Sequence, residues 1–210
     1  MKKLLFFVSL LSITTLFVGC GKKIPTETCA LTWSLACWTT SWTIDHSDLT
    51  GAIHTVLISI KNNDLLTLST FVGDQWLRFS PYEYVNSWTD VVLTSGEVYN
   101  GLALSRSFIR GAYDGSGLPI DLWIGQYFEK FVNDADYANA PEVNYNQSIQ
   151  RGNTINTIAQ VYQGKTRVEF YFSGFDAQYE GMDRKSLTLV FEQVNGQRYL
   201  IGIVHGQRTI

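Results

Sequence analysis

The chain has 210 residues, of which 45% are hydrophobic and 14% aromatic, a composition that excludes a disordered protein and suffices for one domain with a sizeable core. Only 17% are charged, and the net charge of −3 becomes −5 once Lys2 and Lys3 are removed with the leader described below. No basic run follows Lys22-Lys23, which argues against the phosphate-neutralising surface of a nucleic-acid binder.

Residues 1–19 have the layout of a signal peptide. Lys2 and Lys3 make a positive start, and residues 4–18 are uncharged and dominated by Leu, Phe, Val and Ile. This run of about 15 residues falls short of the roughly 20 that span a bilayer as a helix. It ends in Leu16-Phe17-Val18-Gly19-Cys20, which resembles the bacterial lipobox closed by the cysteine that receives diacylglycerol. That resemblance implies cleavage before Cys20, acylation there by chains such as palmitate, and an extracytoplasmic protein held at the cell membrane. Each buried methylene adds about 0.8 kcal/mol, so several chains make a durable tether. Gly21 in place of Asp resembles the sorting signal for the outer membrane in cells that have two membranes.

Residues 20–44 form the expected leash. Lys22, Lys23, Pro25, Thr26 and Thr28 suit an exposed spacer, while Cys29 and Cys37 are a candidate disulfide in an oxidising compartment. Closing so short a loop is worth up to about 3 kcal/mol in the chain-entropy model. No His or second Cys pair accompanies them, so no metal is expected, and no cofactor motif occurs elsewhere. Leu31, Leu35, Trp38 and Trp42 have helical spacing, whereas Leu31, Trp33 and Leu35 alternate as in a strand; both readings stand.

A single domain is expected over 45–210. Asp45 or Ser47 can cap a helix whose stripe is Leu49, Ile53, Val56, Leu57 and Ile60, broken at Asn62-Asn63. A second helix carries Leu65, Leu66, Leu68, Phe71 and Val72, with Gly73 at its C-terminal cap. A helical turn is expected over 96–102 and a third helix over 121–132, burying Ile124, Tyr127, Phe128 and Phe131. Asp114-Gly115-Ser116-Gly117 marks a turn between a strand over 107–113 and that helix. Residues 167–172 alternate, with Val168, Phe170 and Phe172 on one face. Strands over 186–194 and 197–205 are joined by Asn195-Gly196, whose type I′ turn needs positive φ twice. A plain two-residue hairpin opposes Phe191 to Leu200 and Leu187 to Val204, giving one face of Leu187, Leu189, Phe191, Leu200 and Val204. The other face, with Val190, Tyr199, Ile201 and Ile203, is also apolar and needs a second cover, from the Trp-rich leash or a second subunit.

This order predicts an α+β fold, N-terminal helices packed on a curved antiparallel sheet. It resembles the nuclear-transport-factor-two-like (cystatin-related cone) fold, in which a curved sheet wraps a helix and encloses a pocket. From Leu77 onward the chain also resembles an uncharacterised bacterial extracytoplasmic domain. The stretches that carry this include Arg78-Phe79-Ser80-Pro81-Tyr82, Tyr127-Phe128-Glu129-Lys130-Phe131-Val132, Asn139-Ala140-Pro141 and Tyr199-Leu200-Ile201-Gly202-Ile203-Val204-His205. The resemblance implies a secreted or lipid-anchored module and brings no activity with it.

Phosphate loops, metal-spaced His pairs and nucleophile elbows do not occur. His46, His54 and His205 are far apart; His54 lies off the apolar stripe and belongs in solvent, and His205 ends its strand on the face opposite Leu187. Asp114-Gly-Ser-Gly and Asp134-Ala-Asp136 lack the six to eight oxygens calcium takes. Pro81-Tyr82-Glu83-Tyr84 and the six Trp can line a ligand or sugar pocket, although core is the commoner fate of large rings. The expected role is therefore a binding module for a small ligand, a wall fragment or another envelope protein. The alternative is an isomerase or dehydratase with an Asp or His base in an apolar pocket, drawing on His205, Asp176, Asp183, Glu169 and Tyr171. A third reading is a homodimer formed through Tyr199, Ile201 and Ile203.

Overall fold

The computed structural model describes residues 46–101, 107–152 and 154–208; the leader, Cys20, the leash, Cys29 and Cys37 lie outside them. Helix α1 (Leu49–Lys61) starts at Asp48, whose carboxylate accepts from the amides of Thr50 and Gly51 at 3.2 and 2.8 Å. Asp48 thus takes the capping role expected of Asp45 or Ser47, and such a cap is worth about 1 kcal/mol. Ile53, Val56, Leu57 and Ile60 form its buried stripe. Helix α2 (Leu65–Val72) is capped by Asp64 and buries Leu65, Leu68, Phe71 and Val72, whereas Leu66 points outward. Gly73 ends it with φ 57, and a β-carbon there would stand 2.5 Å from the Tyr199 ring.

Strands β1 (Trp76–Ser80) and β2 (Val91–Thr94) follow, paired antiparallel across a ten-residue connection, 81–90. Helix α3 (Ser95–Asn100) is set by a capping box between Thr94 and Glu97. The turn at 114–117 closes a hairpin of β3 (Ser107–Ala112) and β4 (Pro119–Trp123). The helix expected over 121–132 therefore begins only at α4 (Ile124–Phe131), because residues 119–123 pair with β3; Ile124, Tyr127, Phe128 and Phe131 are buried as expected. After β5 (Glu142–Tyr145), the single turn α5 (Ile158–Val161) and β6 (Thr166–Phe172), the long hairpin of β7 (Lys185–Val194) and β8 (Gln197–Gln207) ends the chain.

Six strands form one sheet in the order β2-β1-β8-β7-β6-β5, giving a mixed α+β architecture. Two features differ from the expectation. The sheet is not wholly antiparallel, since β1 runs parallel to β8. Nor are the helices gathered before the strands: α3, α4 and α5 fall between them.

The turn at Asn195-Gly196 has the expected positive φ at both residues, 51° and 81°. Beyond it the register departs from a plain hairpin. Phe191 faces Leu200, but Val190 faces Gly202, so Ile201 is an extra residue in β8, a β-bulge. Because side chains alternate with a period of two, one extra residue exchanges the faces beyond it. Leu187 consequently pairs with His205 rather than Val204. Ile203 and His205 turn into the main core with Leu187, Leu189, Phe191 and Leu200, while Val204 joins Val190 on the outer face.

Helices α1, α2 and α4 cover the inner face, with Phe71, Phe131, Phe191, Leu189 and Leu200 fully buried there. Burying a side chain of this size is worth about 1.5–3 kcal/mol. On the outer face Ile158 and Tyr162 pack on Val85, Val190 and Val204. Part of the second cover is therefore supplied by the chain's own α5 segment. Tyr162 reaches the sheet because Gly202 has no β-carbon; one would lie 2.6 Å from the Tyr162 hydroxyl. Ile203 is 1% exposed, so it offers nothing to the dimer face drawn through it.

Candidate functional site

The site is built on the connection between β1 and β2. Its first residues alternate like a strand: Pro81, Glu83 and Val85 are buried, while Tyr84 points out. The inward side binds this segment to the α5 region. The Glu83 peptide oxygen accepts from Thr157 N at 3.1 Å, and Val85 N donates to Thr157 Oγ1 at 2.9 Å. Tyr82 leans the other way; its hydroxyl accepts from Asp114 N at 3.1 Å and its ring meets Phe131 edge-on at 6.1 Å.

A tight turn follows. Asn86 Oδ1 accepts from Trp88 N at 3.0 Å, and the Asn86 carbonyl accepts from the amides of Thr89 and Asp90. Asp90 is 4% exposed and closes the loop on itself: its Oδ2 accepts from Ser80 Oγ at 2.6 Å and Asn86 N at 2.9 Å. Arg78 stands 4.0 Å away. Burial pushes the Asp90 carboxyl up to about 6, against the two hydrogen bonds and the Arg78 charge.

Held in this way, the loop presents Trp88 with 94% of its surface exposed and Tyr84 with 53%. Both border an open groove of about 640 Å³, within the range of small-ligand sites. Tyr82, Asn86, Thr89 and Asp90 complete its loop side, and β3 at Gly111 and Ala112 forms the opposite edge.

Glu83 lies beneath the loop on the outer face of the sheet, 4% exposed. It rests on Gly206, where a β-carbon would come within 2.8 Å of Oε1 and would also collide with Ser186 Oγ. Its Oε2 is buried without a hydrogen-bond partner among the described residues. Burial, then repulsion from Glu169, raises its carboxyl to about 7, opposed by the charges of Arg184 and Arg151.

His205 sits on the other face with no exposed surface. Nδ1 is 3.1 Å from the Pro81 carbonyl and Nε2 is 3.2 Å from Asp134 Oδ2. Both partners are hydrogen-bond acceptors. Asp134 also takes Lys185 Nζ at 2.7 Å and the Tyr137 hydroxyl at 2.7 Å. Burial alone would raise the Asp134 carboxyl; the bond and charge of His205 and the bonds from Lys185 and Tyr137 hold it well below its ordinary value. This cluster joins β8, β7, the 134–137 turn and the start of the loop.

The residues singled out in the sequence are divided among three places. Glu169 and Tyr171 come together on the outer face: Arg151 donates to Glu142 and Glu169 at 2.6 and 3.1 Å and lies 3.5 Å over the Tyr171 ring. His205 is on the opposite face. Asp176 is exposed in the turn between β6 and β7, where the Asp183 carboxylate accepts from the amides of Phe175 and Asp176. They do not converge on one cavity. A crevice within the main core is about 10 Å³, lined by Phe79, Val91, Leu93, Ile124, Tyr127 and Phe128, with no carboxylate. His54 is exposed, and Asp136 of the Asp134-Ala-Asp136 run pairs with Lys61. Among the described residues no group of three or more His, Cys, Asp or Glu is placed to hold a metal.

In the sequence Tyr82 and Tyr84 stand out together and Trp88 only as one of six Trp, while Asn86 and Asp90 do not stand out as site residues. Their signal was a single Trp inside the polar run Asn86-Ser87-Trp88-Thr89-Asp90, a setting that no packed strand or helix stripe explains.

No family model matches the chain, and no curated protein sequence matches it. Among solved structures it is similar to a DUF4783 family protein from Bacteroides ovatus, at 10% identity and a TM-score of 0.34, covering 74% of this chain and 94% of that one.

Proposed function

We propose that the protein is a lipid-anchored envelope module that binds a partner or ligand in the groove beside Trp88. One observation carries this: an indole 94% exposed is presented over a groove of about 640 Å³ by a turn that Asp90 pins from below. Trp and Tyr are the side chains most often found at the energetic centre of interfaces. A fixed turn also lowers the ordering cost of binding.

The anchor is Cys20, preceded by the uncharged leader, which puts the domain outside the cytoplasm at a membrane surface, the outer membrane where there are two. For the finer fold we propose the nuclear-transport-factor-two-like cone, supported by a six-stranded sheet whose inner face is covered by helices. The acid–base alternative would place a carboxylate and His205 around a substrate, but His205 has no exposed surface and the core crevice is apolar. Geometry therefore favours binding over catalysis.

Two measurements test the proposal. Cys20→Ala should move the protein out of the membrane fraction and remove the acyl mass from its amino terminus; full retention of the variant in the membrane would refute the anchor. Full-length protein in detergent, compared with its Trp88→Ala variant over envelope extract, should retain components that the variant loses. Identical retention by the two would refute the groove as the binding surface.

A further inference from the structure

We infer that the groove takes a neutral saccharide, with a pyranose ring stacked on Trp88. This deepens the binding reading above and rests on it. Among the described residues that line the groove none is Lys or Arg, so these residues offer a phosphate, nucleotide or acidic peptide no cation. Its single carboxylate, Asp90, is turned inward: Oδ2 is taken by Ser80 and Asn86, and Arg78 approaches from below. A cationic ligand is therefore offered little unspent negative charge.

What remains unspent is neutral and polar. Asn86 gives only its oxygen to the turn, and its Nδ2 has no partner among the described residues. The Thr89 and Tyr84 hydroxyls likewise have no partner among them. These residues line the same solvent-open groove as Trp88. A wholly apolar ligand would waste the polar groups and keep much of its own surface wet. A pyranose presents both required chemistries at once, a flat face of C–H groups for an aromatic ring and a rim of hydroxyls that donate and accept. Aromatic rings carry a negative face, which attracts the slightly positive C–H groups of such a partner. The groove volume is that of a small-ligand site, enough for a short oligosaccharide segment rather than a long, enclosed chain.

The test titrates the full-length protein in detergent with neutral tetrasaccharides at micromolar to millimolar concentration, followed by calorimetry. One arm uses β-1,4-linked N-acetylglucosamine, the chemistry of a wall glycan; the other uses α-1,4-linked glucose, the chemistry of a storage or nutrient glycan. At least one should bind, Trp88→Ala should weaken it at least tenfold, and Trp88→Phe should retain most of the affinity. The arm that binds identifies the source. Binding by neither tetrasaccharide, or affinity undiminished in Trp88→Ala, overturns the inference. If neither binds while Trp88→Ala still loses envelope components, the saccharide is wrong and the binding module stands; if both tests fail, the groove itself is wrong.

Discussion

Replacing Glu83 by Gln keeps the shape of a buried side chain and removes its ionisation. In the folded protein the carboxyl is raised from 4.5 to about 7, chiefly by burial and then by Glu169. The folded state therefore holds this proton more tightly than the unfolded chain does. Below the unfolded value both states are protonated and the contribution is fully present; as pH rises through about 7 it is lost. At about 1.36 kcal/mol per pH unit the whole span amounts to about 3 kcal/mol, of which about 1 kcal/mol falls between pH 6 and 8. Asp90, raised to about 6, still titrates at the lower end of that interval, whereas Asp134 is depressed and its contribution changes only below its unfolded value of 3.8. The assay is urea unfolding of the full-length protein and of Glu83→Gln at pH 6, 7 and 8, followed by far-ultraviolet circular dichroism. Groups that titrate alike in both proteins cancel in the difference. Wild type should lose about 1 kcal/mol more than the variant across the interval, with equal m values. Parallel pH profiles would refute the account of Glu83 as a proton-holding carboxyl under the loop.

Asp134→Asn leaves His205 and Lys185 without their shared carboxylate, and should cost about 2–4 kcal/mol by urea unfolding at pH 7. Its wild-type carboxyl is depressed, so its stabilisation is present above 3.8 and lost as pH falls further; the variant should accordingly show a flatter stability profile below pH 4. A variant as stable as wild type at pH 7 would contradict the cluster's structural role. Asp90→Ala removes the acceptor for Asn86 N and Ser80 Oγ, and amide hydrogen exchange at Asn86, Trp88 and Thr89 should accelerate at least tenfold while that of β7 is unchanged. Unchanged exchange in the turn would show that Asp90 is not what holds Trp88.

Most of the elements could be read from the sequence, because each depends on local pattern. The α1 stripe, the Gly73 stop and the Asn195-Gly196 turn all follow from spacing and backbone conformation within a few residues. The failures are non-local. Residues 119–123 continue toward a helix in pattern but are taken by β3, a tertiary pairing that overrides local preference. β1 has no sequence signal for its partner β8, more than a hundred residues away and parallel. The bulge at Ile201 was invisible for a different reason: an extra residue changes register without changing composition, and every residue from Leu200 to Val204 except Gly202 suits either face.

That one inserted residue explains how the groove comes to be fixed. Without the bulge His205 would fall on the outer face, as plain alternation requires, and could not reach Asp134 in the turn after α4. With it, the imidazole turns inward and its Nδ1 meets the Pro81 carbonyl at the point where the chain leaves β1. The same shift brings Gly206 to the outer face opposite Ser186, leaving the space that Glu83 occupies two residues further along the loop. Pro81 and Glu83 are thus anchored on opposite faces of one strand, β8, and Asp90 closes the far end. The exposed aromatic rings are carried by a loop whose own residues alternate between those anchors and solvent. The hydrophobic period of the last hairpin, moved by one position, therefore decides which side chain a ligand would meet more than a hundred residues earlier.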